Sequence, residues 1–179
     1  MVFDRTSQRV VLFGGQASLT SFPADTWTWD GTAWTRASTS GPPARIHHSM
    51  VFDPGSQRVL LFGGASAAGA DLGDTWAWAN NQWTPAAPGI AARTHARLAA
   101  TSRGVIMIGG FPGSPGAMLL ESGSWRADAQ LNAPPARYLT ALAFDPVRQV
   151  TVMFGGGDPS SNGLFDDTWE YSATGWARK

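Results

Sequence analysis

Apolar residues in this chain fall into short runs that end in the same way. Val10-Val11-Leu12-Phe13, Val59-Leu60-Leu61-Phe62, Val105-Ile106-Met107-Ile108 and Thr151-Val152-Met153-Phe154 each lead directly into a Gly-Gly pair, beginning at Gly14, Gly63, Gly109 and Gly155. The pairs recur after 49, 46 and 46 residues. A short continuous apolar run bounded by glycine predicts a strand buried on both faces. Downstream the pattern alternates: in Asp74-Thr75-Trp76-Ala77-Trp78 the two indoles share one face under the two-residue period of a strand.

Other markers keep the same phase. Asp-Thr-Trp occurs at Asp25, Asp74 and Asp167, and a second Trp follows at Trp34, Trp83 and Trp176. An Arg closes a Pro- or Ala-rich stretch at Arg45, Arg93 and Arg137. These markers define four repeats in a single domain, at about 1–44, 45–92, 93–136 and 137–179. Each repeat reads as four strands, a to d. In the second, strand a is His48 to Phe52, Asp53-Pro54-Gly55-Ser56 turns, strand b is Arg58 to Phe62, and strand c is Asp74 to Trp78. Asn80-Asn81 makes a hairpin to strand d at Trp83, and Asp30-Gly31 does the same in the first repeat. No window has capped helical periodicity, so the expected class is all-β. In an antiparallel meander the tight a→b and c→d turns share one end. The b→c segments (Gln16 to Ala24, Ala65 to Gly73, Phe111 to Gly116, Gly157 to Asp166) and the d→a segments (such as Ala37 to Ala44) share the other. Loops that vary on a rigid scaffold mark that second end as the recognition face.

These residues resemble the Kelch family of β-propellers. The likeness rests on the apolar run into Gly-Gly, the aromatics Trp29, Trp78 and Tyr171, the later Trp, and the approach to strand a in Arg45-Ile46-His47-His48-Ser49. The family period is about 50 residues. The resemblance implies a propeller of four Kelch-like four-stranded antiparallel blades, with strand a lining a channel and Gly-Gly and Trp packing between blades. Three completions stay open: a closed four-blade ring, a piece of a larger propeller, or a ring or stack completed by a second chain. Two repeats depart from the pattern. The third carries Met118-Leu119-Leu120-Glu121 where Asp-Thr-Trp-x-Trp is expected, and the first lacks the Arg approach.

Composition narrows the function. The 179 residues hold 21 Gly, 12 Pro and nine Trp, in keeping with short strands and tight turns. Thirteen Lys and Arg balance thirteen Asp and Glu, which argues against nucleic-acid and membrane-surface partners. Zero Cys excludes disulfides, thiolate metal sites and cysteine nucleophiles. No apolar stretch reaches the roughly 20 residues of a membrane helix. No secretory leader is expected at Met1-Val2-Phe3-Asp4-Arg5, and localisation stays open.

Arg45, Arg93 and Arg137 begin strand a on the expected recognition face. In similar propellers such an Arg clamps a carboxylate or phosphate, whereas the structural alternative is an Arg that satisfies loop carbonyls and stacks on Trp. His47, His48, His95 and Arg97 follow on the same strands. Adjacent His47 and His48 point to opposite faces, so no metal triad is expected. Asp71 with Asp74, and Asp158 with Asp166-Asp167, lack a calcium-loop pattern, and Asp25, Asp74 and Asp167 read as caps at the start of strand c. The phased Trp residues read as packing, not as a sugar platform.

Among enzymes of similar fold, galactose-oxidase-like sugar oxidases need a Tyr–Cys crosslink, which zero Cys excludes. Sialic-acid mutarotases need a Glu/His/Arg cluster over the channel, and Glu121 and Glu170 lie near strand c instead. Iron-dependent specifier-type lyases have no evident counterpart, and nucleophile-elbow and phosphate-loop motifs are missing. The reading is a non-catalytic module for protein or peptide recognition without cofactor or metal, with contacts at Arg45, His48, Arg93, His95, Arg97, Arg137 and Tyr138. Carbohydrate binding or sialic-acid-type isomerisation at the channel mouth is the alternative, and a ligand-free structural repeat is the third. Homo-oligomerisation through open blade ends is also expected, since an open array exposes apolar faces.

Overall fold

The computed structural model describes residues 1–112, 116–128, 132–161 and 163–179. All regular elements among them are strands. The first repeat contains β1 (Val2–Asp4), β2 (Arg9–Phe13), β3 (Thr26–Trp29) and β4 (Trp34–Ser38). The second contains β5 (Arg45–Ile46), β6 (Ser49–Asp53), β7 (Arg58–Ser66), β8 (Asp71–Ala79) and β9 (Gln82–Ala87). The third contains β10 (Arg97–Thr101), β11 (Gly104–Ile108), β12 (Ala117–Glu121) and β13 (Ser124–Ala127). The fourth contains β14 (Ala141–Asp145), β15 (Val150–Gly157), β16 (Leu164–Ser172) and β17 (Gly175–Arg178). Each repeat folds as one antiparallel sheet with strands in chain order, compatible with a propeller-like arrangement. In the second, β5 and β6 both pair with β7, separated by a kink where His47 takes φ 56°. By compactness the chain forms two halves, Met1–Thr94 and His95–Lys179.

The turns follow from their residues. Asn80 and Asn81 both have positive φ, 51° and 59°, the two-residue turn whose twist matches a hairpin. The a→b turns begin with Asp4, Asp53 and Asp145, whose carboxylates accept the N–H of Thr6, Gly55 and Val147 at 2.9, 3.0 and 2.9 Å. A Gln follows in each, and Gln8, Gln57 and Gln149 donate back across the turn to a carbonyl at 2.7 Å.

Two readings need correction. The b→c segments of the second and fourth repeats are not long irregular loops: β7 and β8, and β15 and β16, continue past Gly-Gly as extended hairpins. A register shift between Phe62 and Gly64, and between Phe154 and Gly156, carries the ladder past the glycines. Residues 113–115 and 162 of the predicted b→c segments lie outside the described residues. In the third repeat, Ile108 pairs with Ala117 as Phe62 pairs with Thr75. Gly116-Ala117 therefore takes the place of Asp-Thr, and Met118 and Leu120 replace the two indoles, because the b→c connection is short there. Trp125, opposite Leu120, is the fourth strand-d Trp, which the broken motif had hidden.

In the first half, Val11, Phe13, Phe52, Val59, Leu61, Trp78 and Trp83 form one core from both sheets. Phe13 meets Trp83 edge to face at 5.5 Å between centroids, and the Trp83 indole N–H donates to Thr26 Oγ1 at 2.8 Å. So a strand-d Trp of one sheet plugs into strands b and c of the sheet before it. In the second half the same plug is Trp176, clustered with Ile108, Ala117, Leu119 and Met153. Ala117 has no hydroxyl. The buried Trp176 Nε1 has no partner among the described residues, and a gap of about 10 Å3 lies between Ala117 and Trp176.

Thr26→Ala should cost about 1–3 kcal/mol by stranding the Trp83 N–H, and Ala117→Thr should gain about 1 kcal/mol by supplying the missing acceptor. Thermal unfolding followed by circular dichroism checks the pair. Shifts of the same sign would refute the assignment of acceptor and donor.

Candidate functional site

The expected recognition end is organised by Arg. Arg45 and Arg137 are buried, with 0% and 1% of their surface exposed. Arg45 Nε donates to Pro43 O at 3.0 Å and Nη1 to Gly63 O at 3.0 Å. Its Nη1 and Nη2 also hold both oxygens of Asp74, at 2.6 and 2.8 Å. Arg137 repeats the set on Pro135 O, Gly155 O and both Asp167 oxygens, at 3.1, 3.1, 2.7 and 3.3 Å. Its guanidinium also lies 4.1 Å over the Phe165 ring. The indoles of Trp76 and Trp169 donate to the same carboxylates at 2.6 and 2.7 Å. Planar fork meets planar carboxylate, the geometry in which Arg is strongest. Both guanidinium groups are filled from within: Arg45 ties β5 to β8, and Arg137 ties the segment ahead of β14 to β16.

The same position also makes a backbone bond to the preceding Gly-Gly. The carbonyls of Arg45, Arg93 and Arg137 each accept the N–H of the second glycine of the preceding Gly-Gly, at Gly15, Gly64 and Gly110, each at 3.1 Å. A Cβ on Gly63 would come within 2.6 Å of Arg93 O, and both glycines of that pair have positive φ. Only glycine satisfies both demands.

Burial works against the Asp74 charge, but hydrogen bonds from Arg45 and Trp76 and the Arg45 charge outweigh it, so its pKa is lowered. For Asp167 the Arg137 hydrogen bonds dominate, burial opposes, and the pKa falls from 3.8 to about 2.

Arg93 differs. It is also buried, at 5% exposure, and its Nε reaches Ala91 O at 3.4 Å. Among the described residues no carboxylate forms an ion pair with it, and burial alone lowers its pKa. The repeat position that carries Asp74 and Asp167 is Gly116 in the third repeat. Asp25 is the converse: it accepts the Trp27 indole N–H at 2.8 Å, and no Arg among the described residues pairs with it.

The remaining expected residues fall into two groups. In the first half, His48 packs edge-on against Phe13 at 5.8 Å, near Arg45 and the Gly63-Gly64 pair. Burial, the terminal ammonium and Arg45 lower its pKa to about 4, so it is neutral at pH 7. In the second half, Arg97 Nε donates to Thr140 O at 3.1 Å, and His95 O accepts the Leu139 N–H at 3.5 Å. Tyr138 pairs by backbone with Gly157, and its ring covers that glycine. Asp158 is committed to Ser160 and Ser161. Among the described residues no three His, Cys, Asp or Glu side chains could hold a metal ion, and no helix is long and apolar enough to cross a membrane.

Two features escaped sequence reasoning. A cleft of about 590 Å3 opens in the first half at the a→b and c→d end, lined by Arg9, Arg36, Gln57, Trp78, Asn80 and Asn81 among others. It lies between two sheets, so residues far apart in sequence build it. In the second half, Arg103 donates to Tyr171 Oη at 3.2 Å and to Glu121 at 3.1 Å, beside the buried Asp128. Burial, then Asp128, pushes Tyr171 up to about 12. No protein-family model matches this chain, and no curated protein matches it.

Because the Asp167 pKa is lower folded than unfolded, its contribution to stability is complete above pH 3.8 and disappears as pH falls toward about 2. Denaturant unfolding at stepped pH should show this loss in the native protein and a flatter profile in Asp167→Asn. Parallel profiles would remove the clamp from the account.

Proposed function

We propose that the chain is a Kelch-like propeller segment serving as a non-catalytic recognition module for protein or peptide partners, with Arg93 as the anchor for a partner carboxylate. The observation that carries this reading is the difference between Arg93 and its two siblings. Arg45 and Arg137 are neutralised internally by an Asp, while Arg93 is buried with no carboxylate pairing among the described residues. An uncompensated buried cation is costly, and a carboxylate brought by a ligand recovers that cost. The sibling clamps supply the template: two parallel N–H···O bonds from one guanidinium. An Asp or Glu side chain or a peptide C-terminus fits this chemistry. A second reading, carbohydrate binding, is favoured by the cleft of about 590 Å3, whose amide, hydroxyl and guanidinium groups suit sugar hydroxyls.

Arrayed peptides with free or amidated C-termini, with and without acidic residues, test the first reading. Native protein should retain carboxylate-bearing peptides, and Arg93→Met should lose at least about tenfold in affinity, or 1.4 kcal/mol. Arg93→Met should also leave folding stability unchanged or raised, whereas Arg137→Met should cost about 3–5 kcal/mol by stranding buried Asp167. Indifference to peptide carboxylates, or destabilisation by Arg93→Met as large as by Arg137→Met, contradicts the reading.

A further inference from the structure

Two residues break a pattern that the other repeats keep. The last apolar residue before Gly-Gly is buried in three sheets, with Phe13, Phe62 and Ile108 exposed by 2%, 1% and 4%, yet Phe154 is 54% exposed. The strand-d Trp is buried in three sheets, with Trp83, Trp125 and Trp176 exposed by 8%, 8% and 5%, yet Trp34 is 43% exposed. Within the first half the two positions are partners: Phe13 and Trp83 meet edge to face, and Thr26 accepts the Trp83 N–H. Within the second half Ile108 and Trp176 share one buried cluster. Phe154 is thus a socket without its Trp, and Trp34 a Trp without its socket. The face around Phe154 is small and apolar. Its cross-strand neighbour Ala141 and, two residues on, Ala143 are exposed, and Thr168 pairs with Phe154 as Thr26 pairs with Phe13.

We infer that a second copy of this chain docks its first sheet on that face of the fourth sheet, head to tail. Trp34 of one copy covers Phe154 of the other and donates its indole N–H to Thr168 Oγ1. The occupant is a second copy because this chain carries both halves of the junction, in the chemistry that its own consecutive sheets already use. A junction of this kind is heterologous: the two copies contribute different surfaces. Association through such a junction rises with concentration. The inference stands apart from the peptide-recognition reading, since neither Phe154 nor Trp34 belongs to that site.

The test is absolute mass by light scattering across a wide concentration range, for native protein, Phe154→Glu, Trp34→Glu and the milder Trp34→Ala. Circular dichroism and unfolding midpoints confirm that each variant is folded. Native protein should associate as concentration rises, and each Glu variant alone should stay monomeric. Phe154→Glu mixed with Trp34→Glu should form a one-to-one dimer, because one intact Trp34 then meets one intact Phe154. A native chain that is monomeric throughout, a folded variant that associates like native, or a mixture that stays monomeric while native associates would each overturn the inference.

Discussion

The buried Arg just ahead of strand a does two jobs at once, and the rest of the architecture depends on both. Its guanidinium grips an Asp within strand c of the same sheet, as Arg45 does with Asp74 and Arg137 with Asp167. Its carbonyl takes an N–H from the Gly-Gly of the sheet before, at Gly15 and Gly110. One residue therefore closes its own sheet by side chain and joins it to its neighbour by backbone. The repeated motifs follow from that demand. Asp must sit where the fork can reach it, Trp two residues on supplies a further N–H to the same carboxylate, and glycine must occupy the approach because a Cβ would strike the Arg carbonyl. The buried charge is tolerable because carbonyls and a carboxylate take four hydrogen bonds from each guanidinium.

The third repeat shows what happens when one partner is withdrawn. Gly116 and Ala117 stand at the register positions of Asp and Thr, and each half carries one unmet demand. Arg93 keeps its carbonyl latch to Gly64 but has no carboxylate among the described residues, and the Trp176 N–H has no acceptor there either. A repeat that loses two polar partners yet keeps its apolar packing retains the fold and leaves unused hydrogen-bonding capacity. That capacity is the physical basis of the proposed recognition role.

Much of the fold was legible because it is periodic. Gly-Gly, Asp-Thr-Trp and the later Trp marked strand ends and hairpins, and Asn80-Asn81 turned as its residues dictate. The strand extensions past Gly-Gly were not legible, because the glycines read as terminators and proved to be bulges. Nor was the register of the third repeat, where the b→c connection is four residues shorter than in the second. The phase of the candidate Arg residues was legible, but their partners were not. Arg45 and Arg137 stand where they were expected, but spacing alone does not reveal that Asp74 and Asp167, read as strand caps, fill their guanidinium groups. The cleft between the first two sheets was invisible, since it exists only once they pack.

Hydrogen exchange at the Gly110 amide tests the double role most directly. This N–H is bound to the Arg137 carbonyl, and Arg137 is held from the other side by Asp167. If one residue couples the two sheets, Asp167→Asn should accelerate exchange at Gly110, on a sheet that Asp167 does not belong to, well beyond the acceleration at strand amides of β11. Unchanged protection at Gly110, with exchange rising only along β16 around the substituted position, would show that the clamp and the latch are independent.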